Sequence, residues 1–255
     1  MGQLTVEGIC KSFEGEVIIR DISMELHKGE LVSLLGVSGG GKTTLFHVAS
    51  GLLKPDSGRI LLDGKDITGE PGHVSYMLQK DLLLPYRTIE DNVALPLLVK
   101  GMRKNEARKE VGKYFDQFGL EGCQKRYPAQ LSGGMRQRAA LLRTYLFSSS
   151  VALLDEPFSA LDMLTKEGIH HWYLKVMEQI QLSTLFITHD MDEAIFLSDR
   201  IYLLTGRPGR ITKEIVIQEP KPRGREFKLT EGFLEYKREI LCHLEQGEYS
   251  DMDRT

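Results

Sequence analysis

The clearest pattern in the chain is LVSLLG (31–36), a nearly continuous apolar run followed at once by a glycine-rich stretch. Such a run suits a strand buried on both faces of a sheet. Two β-like runs precede it, LTVEGIC (4–10) and VIIRDISMEL (17–26), and His27-Lys28-Gly29-Glu30 supplies a turn before it. A helix is expected from Lys42 to about Gly51, with short strands at 58–62 and 73–78.

The texture turns helical after about Lys80. Three helix-like segments follow, TIEDNVALPLLVK, NEARKEVGKYFDQFG and SGGMRQRAALLRTYLF. Pro96 kinks or breaks the first. Asn105 and Glu106 open the second and Gly119 closes it. Strand and helix patterns then alternate: VALLD (151–155), a helix near 162–181, STLFITH (183–189), and strands near 200–204 and 211–217. Alternation of this kind predicts an α/β core with a largely parallel sheet. On this reading residues 1–218 form one domain with a helical subdomain inserted at about 80–145. Residues 219–255 form a linker marked by Pro220, Pro222 and Gly224, a helix over Phe227–Leu244 and a disordered tail.

Composition narrows the classes. The 255 residues are 41% hydrophobic and 27% charged, ordinary for a globular protein. With 33 basic and 36 acidic residues the net charge is -3, which argues against a general nucleic-acid binder. No charge-free stretch is long enough for an ordinary transmembrane helix. The opening MGQLTVEGICKSF lacks a basic region followed by an apolar run, so no secretory signal is expected, and Val6 argues against myristoylation. Cys10, Cys123 and Cys242 lie too far apart for a zinc knuckle or a disulfide framework, so free, inert thiols in a reducing cytoplasm are expected.

The chemistry concentrates at strand ends. Gly36-Val37-Ser38-Gly39-Gly40-Gly41-Lys42-Thr43 fits G-x-x-x-x-G-K-[ST] between a buried strand and a helix. Glycines let consecutive backbone N–H groups turn toward phosphate oxygens, Lys42 brings a charge to the β- and γ-phosphates, and the Thr43 hydroxyl can ligate Mg²⁺. The helix that starts there, with Thr44 in its first turn, presents its positive end to the same anion. VALLD runs into Glu156 and Pro157, placing two acids where a parallel strand meets the ligand crevice. Asp155 is expected to hold Mg²⁺ and Glu156 to take a proton from attacking water. Taken alone, the pair also fits an ordinary acidic turn. His189 and Gln79 likewise end apolar runs. Alone, each fits a structural role; beside the loop, His189 becomes a candidate γ-phosphate contact and Gln79 a group beside Mg²⁺ that senses that phosphate.

Leu131-Ser132-Gly133-Gly134-Met135-Arg136-Gln137-Arg138 offers a second helix start able to meet an anion, with Ser132 as N-cap. In isolation it also fits a plain capped helix. Phe13, the phosphate loop, Gln79, LSGGMRQ, LLDEP (153–157), Ser159-Ala160-Leu161-Asp162 and His189 together, in this order, resemble the ATP-binding cassette (ABC) ATPases across essentially the whole chain. The resemblance implies a P-loop NTPase core with a mainly parallel sheet, an N-terminal antiparallel β subdomain and an inserted α-helical subdomain. It implies ATP and Mg²⁺ as cofactors, Phe13 stacking on adenine, and Gln137 and Asp162 among the nucleotide-site residues. It also implies head-to-tail pairing, in which Ser132, Gly133 and Gly134 of one chain close on ATP held by a second, identical or related, chain.

LQKDLLLPYRTIEDNVALPL, RYPAQLSGGMRQRAALLR, DEPFSALD, ITHDMDEAIFLSDRIYLL and RPGRI are similar to importer cassettes for nitrate, sulfonate, taurine or a pyrimidine-type precursor, with Tyr86 where Trp is common. Lys125-Arg126-Tyr127-Pro128 stands where exporters carry an acidic, Gly-containing segment. The implied partners are transmembrane permease subunits and, indirectly, an extracytoplasmic solute-binding protein, with no nucleic acid; the implied place is the cytoplasmic face of the cell membrane. Leu82, Leu83, Leu84, Pro85 and Tyr86 are candidates for a groove receiving a permease helix. The alternatives are a soluble ABC ATPase of translation or DNA repair, and a nucleotide-binding module without turnover. His170 and His171 are expected at the surface, and Arg103, Lys104, Arg108 and Lys109 on a solvated helix face.

Overall fold

The computed structural model describes residues 2–147, 150–159 and 161–252. The chain divides into two compact units, one of residues 1–73 with 183–255, the other of residues 74–182.

The first unit carries two sheets. One is antiparallel, with β1 (Leu4–Phe13) between β2 (Glu16–Leu26) and β4 (Ser57–Leu62), and β5 (Lys65–Asp66) at the edge beyond β4. In the other, β3 (Leu31–Gly36) runs parallel to both β8 (Ser183–Thr188) and β9 (Arg200–Thr205), and β10 (Arg210–Val216) closes antiparallel on β9. Every residue of β3 and β8 is buried, as an all-apolar parallel strand requires. α1 (Lys42–Ala49) follows β3, α7 (Met191–Leu197) follows β8, and α8 (Glu231–Met252) ends the unit.

The second unit pairs β6 (Ser75–Met77) in parallel with β7 (Val151–Asp155). Its helices are α2 (Ile89–Val93), α3 (Leu95–Val99), α4 (Lys104–Gly112), α5 (Gly133–Phe147) and α6 (Met163–Ile180). The helices of the expected 80–145 insertion fall in this unit, together with β6, β7 and α6. Pro96 does break the first helical segment, into α2 and α3. α4 stops at Gly112, short of the expected Gly119, because bonds tighten there to three-residue turns, Lys113 N to Glu110 O and Tyr114 N to Val111 O.

Three surface expectations are corrected. His170 is buried, its ring edge-on to Phe158 at 4.8 Å, because it shares the inward face of α6 with Tyr173 and Leu174. Residues 219–224 are not a free linker. Arg223 is 3% exposed, and its guanidinium donates to the Ile195, Phe196, Ser198 and Glu219 carbonyls. The helix that follows begins at Glu231, after a 3₁₀ turn at Arg225–Leu229, and continues past Leu244 to Met252. Arg108 lies against acids rather than open solvent, forking onto both Asp91 carboxylate oxygens at 2.8 Å.

Candidate functional site

The phosphate loop is built in the first unit. β3 delivers Gly36, and the chain turns through residues 37–41 into α1, with Gly41 in the left-handed region at φ 90°. Side chains are excluded at both ends of the loop. A Cβ on Gly36 would fall 2.3 Å from the Leu204 carbonyl, and one on Gly41 would fall 2.4 Å from Ile19 Cγ2. Lys42 is buried, and its ammonium donates to the Gly36 and Val37 carbonyls at 2.8 and 2.7 Å, so its charge is held inside the loop. Ser38, Gly39 and Thr43 are exposed and Thr44 half-buried. This is a cradle of backbone donors around a fixed cation, which suits a polyphosphate.

Two other expected residues sit in the same unit. The parallel register pairs Leu35 of β3 with Thr188 of β8, so His189 emerges level with Gly36, and it is exposed. Thr188 Oγ1 donates to Glu193 at 2.7 Å, and Asp190 accepts from the Asp192 and Glu193 amides, so both neighbours of His189 are fixed by the start of α7. Phe13 ends β1 beside a turn with Glu14 and Gly15 at positive φ. Its ring is 45% exposed and carries the Lys11 ammonium 5.6 Å from its centroid, an open face for a flat base.

The acidic cluster lies in the second unit. β7 ends in buried Asp155, whose carboxylate accepts from the Tyr76 hydroxyl at 3.2 Å. Burial first, then the Asp155 charge, push the Tyr76 phenol well above its ordinary range. Glu156 stands in the left-handed region at φ 46°, a conformation that a non-glycine residue adopts at a cost of about 1–3 kcal/mol and that concentrates at functional sites. Gln79 Nε2 donates to Glu156 Oε2 at 2.9 Å. The pairing of Met77 with Leu154 sets this contact, because Gln79 and Glu156 each lie two residues further on. Tyr76 was not legible as a partner of Asp155; the signal was the common ending of two parallel strands.

Ser132 caps α5, accepting from Met135 N at 3.3 Å, and is exposed. Gly133 abuts the segment before α6 and Gly134 its first turn: a Cβ would meet Leu161 Cδ2 at 3.4 Å and Thr165 Cγ2 at 3.3 Å, respectively. Gln137 is buried and spends its amide on the Pro157 carbonyl, so it ties the helix to the chain after the acids instead of facing a ligand. Asp162 caps α6 through Thr165 N and Thr165 Oγ1. Ala160 of the same motif lies outside the described residues. In the expected permease groove, Leu82, Pro85 and Tyr86 are exposed and Leu84 half-buried, but Leu83 is buried and belongs to the core of the unit.

Comparison with known proteins agrees with this chemistry. A family model described as ABC transporter matches residues 19–159. The formylaminopyrimidine import ATP-binding protein ThiZ of Halalkalibacterium halodurans is 42% identical over 229 residues, covering 89% of each chain. The nitrate import ATP-binding protein NrtD of Synechocystis sp. is 38% identical over 243 residues, covering 93% of this chain and 91% of the relative. Among solved structures, a dimeric ATP-binding cassette in a post-hydrolysis state bound to ADP and Pi is 28% identical, with a TM-score of 0.71 over 85% of this chain and all of that one.

Proposed function

The chain belongs to the ABC transporter family, and from that premise we propose that it is the ATP-hydrolysing subunit of a membrane importer, paired head to tail with a second cassette. The phosphate loop carries this reading: a buried lysine held by two loop carbonyls inside a cradle closed to side chains at both ends. The relatives named above are import subunits, and the alternative of a soluble ATPase in translation or DNA repair finds no support among them.

Each residue then has a role. Phe13 stacks on adenine. The amides of Gly36–Thr44 surround the phosphates and Lys42 neutralises them. Thr43, Asp155 and Gln79 offer oxygen ligands that suit Mg²⁺, whose chemistry is to neutralise charge on the transferring phosphoryl group. Glu156 takes the proton of the attacking water, and its bond to Gln79 orients its carboxylate. His189 contacts the γ-phosphate. Ser132, Gly133 and Gly134 complete the site on the partner cassette, with Gln137 and Asp162 holding the adjoining segment in shape. Exposed Tyr86 and Leu82 offer a permease helix an apolar contact. Among the described residues no helix is long and apolar enough to cross a membrane. On this proposal the permease supplies the pathway and the chain works at its cytoplasmic face. A solute-binding protein outside the membrane delivers a small solute of the nitrate, sulfonate, taurine or pyrimidine-precursor kind.

The test is Glu156→Gln. Glutamine keeps the size and the acceptor oxygen but takes no proton at neutral pH. Turnover should fall about 10²–10⁴-fold, the usual general-base contribution, while ATP still binds. The stalled variant should run as a dimer in ATP and Mg²⁺ on size exclusion, and a further Ser132→Arg change should return it to monomer. A nucleotide-saturated E156Q that hydrolyses at the wild-type rate would sink the assignment.

A further inference from the structure

The turn between β9 and β10, Gly206-Arg207-Pro208-Gly209, is docked against the phosphate loop rather than projecting into solvent. Gly209 N donates to Ile18 O at 2.8 Å and Arg20 N donates to Gly209 O at 3.0 Å, so the turn is tied into β2. A Cβ on Gly209 would come within 2.1 Å of the Gly40 carbonyl, so backbone meets backbone there with no room for a side chain. This seating brings Arg207 to the outer side of the loop: a Cβ on Gly39 would lie 3.2 Å from Arg207 Nη2 and 3.9 Å from its Cζ. Gly39 and Arg207 are both exposed, and among the described residues Arg207 makes no ion pair.

An arginine without a carboxylate partner, held by a rigid turn at a loop shaped for phosphate, is placed for an anion. The cation already in the loop acts from inside it: Lys42 points inward, donating to the Gly36 and Val37 carbonyls. Arg207 offers what an ammonium cannot, a planar fork of donors matched to phosphate oxygens. We propose that Arg207 is a second cationic contact for the phosphate chain of the bound nucleotide, reaching it across Gly39 from outside the loop while Lys42 reaches it from within. This rests on the phosphate-loop reading above. It adds a residue from the far end of the same unit, supplied in cis, that the nucleotide motifs do not include. Gly39 itself stands at φ 81°, in the left-handed region that favours glycine, and with no side chain it leaves the guanidinium room beside the loop.

The test compares wild type, Arg207→Gln, Arg207→Lys and Lys42→Ala as full chains, measuring ATP and ADP affinity by calorimetry and the melting temperature without nucleotide. A charge-assisted hydrogen bond at a partly solvated site is weaker than a buried one, so R207Q should weaken ATP about tenfold. Its nucleotide-free melting temperature should match wild type, and R207K should recover part of the loss. Raising salt should narrow the gap between wild type and R207Q. R207Q affinity within twofold of wild type, with K42A unable to bind, would overturn this inference and leave the loop reading intact. An affinity loss in R207Q matched by a lower nucleotide-free melting temperature, with no rescue by lysine, would reduce Arg207 to a structural role and also overturn it. Normal binding by K42A would overturn the loop reading itself.

Discussion

Arg223→Met tests how the C-terminal segment holds the element that follows His189. The Arg223 Nη1 donates to Ile195 O, Phe196 O and Ser198 O at 2.9, 3.0 and 2.7 Å, while Nε and Nη2 both donate to Glu219 O. The first two carbonyls belong to the last turn of α7, which leaves its terminal acceptors without intrahelical partners. The amide that would continue the helix onto Ile195 O, Asp199 N, is spent on Leu31 O. Burial lowers the guanidinium's proton affinity, yet arginine remains charged at every working pH. Methionine would fill the volume of the stem and leave the three buried acceptors, Ile195 O, Phe196 O and Ser198 O, without this donor, while Glu219, an exposed residue, can turn its carbonyl to water. At the low end of about 1–3 kcal/mol for each, the loss is about 3 kcal/mol. Losing the cation over the Phe227 ring, 5.6 Å from its centroid, adds about 0.5–1 kcal/mol, and relief from burying a charge offsets part of the sum. A net cost of about 2–4 kcal/mol should lower the melting temperature by roughly 5–15 °C at about 2–4 °C per kcal/mol.

The assay is thermal unfolding beside hydrogen exchange of α7 and of the first residues of β9. Protection should fall there before it falls in β3. Because only the cap residue Asp190 separates His189 from the start of α7, turnover at saturating ATP should fall more than ATP affinity. A melting temperature within about 1 °C of wild type would refute the accounting, since it would mean that water or other donors replace the guanidinium at no cost.

Lys221 gives a pH signature in the same segment. Its ammonium donates to Asp199 at 2.8 Å, and burial, only partly opposed by that carboxylate, pushes it down to about 8 from 10.5. Between these values the folded chain sheds a proton that the unfolded chain keeps, so stability contributed by this group rises with pH across that window. Relative to Lys221→Met, the wild type should gain stability as denaturant midpoints are compared from pH 7 to pH 10; a constant difference would refute the sign. Tyr86→Glu, on an exposed ring 73% open to solvent, should leave nucleotide binding and folding unchanged while abolishing ATPase stimulation in the assembled transporter; normal transport by the variant would rule out the contact.

Local periodicity carried much of the architecture. β3, β7 and β8 are short apolar runs buried at every position, and each ends where a glycine loop, an acid pair or a histidine follows. The loop, the acids and the capped α5 start were legible because each depends on neighbours within a few residues. What escaped depends on distant partners. Arg223 follows two prolines and a charged stretch, which reads as a linker until its carbonyl partners, 25 to 28 residues earlier in the chain, fold against it. Leu83 and Tyr86 share one run of apolar residues, yet the first is 7% exposed and the second 73%. A run too short to show a period says which residues are apolar, not which way they face. Gln137 shows what the motif alone does not convey: its side-chain N–H is used within the chain, on the Pro157 carbonyl.

The phosphate loop also shows why a motif of eight residues needs a whole unit to work. Its glycines are set by surfaces that the motif does not contain: Leu204 of β9 against Gly36, Ile19 of β2 against Gly41, and the 206–209 turn against Gly40. These contacts brace the loop from both sides, and a braced loop has less ordering entropy to lose on binding a ligand. Glycine permits the loop's shape, but neighbouring strands impose it. The same collar seats the turn that carries Arg207 beside Gly39, so the close approaches at Gly36, Gly41 and Gly209 and the place of an arginine nearly 170 residues after the loop follow from one packing arrangement.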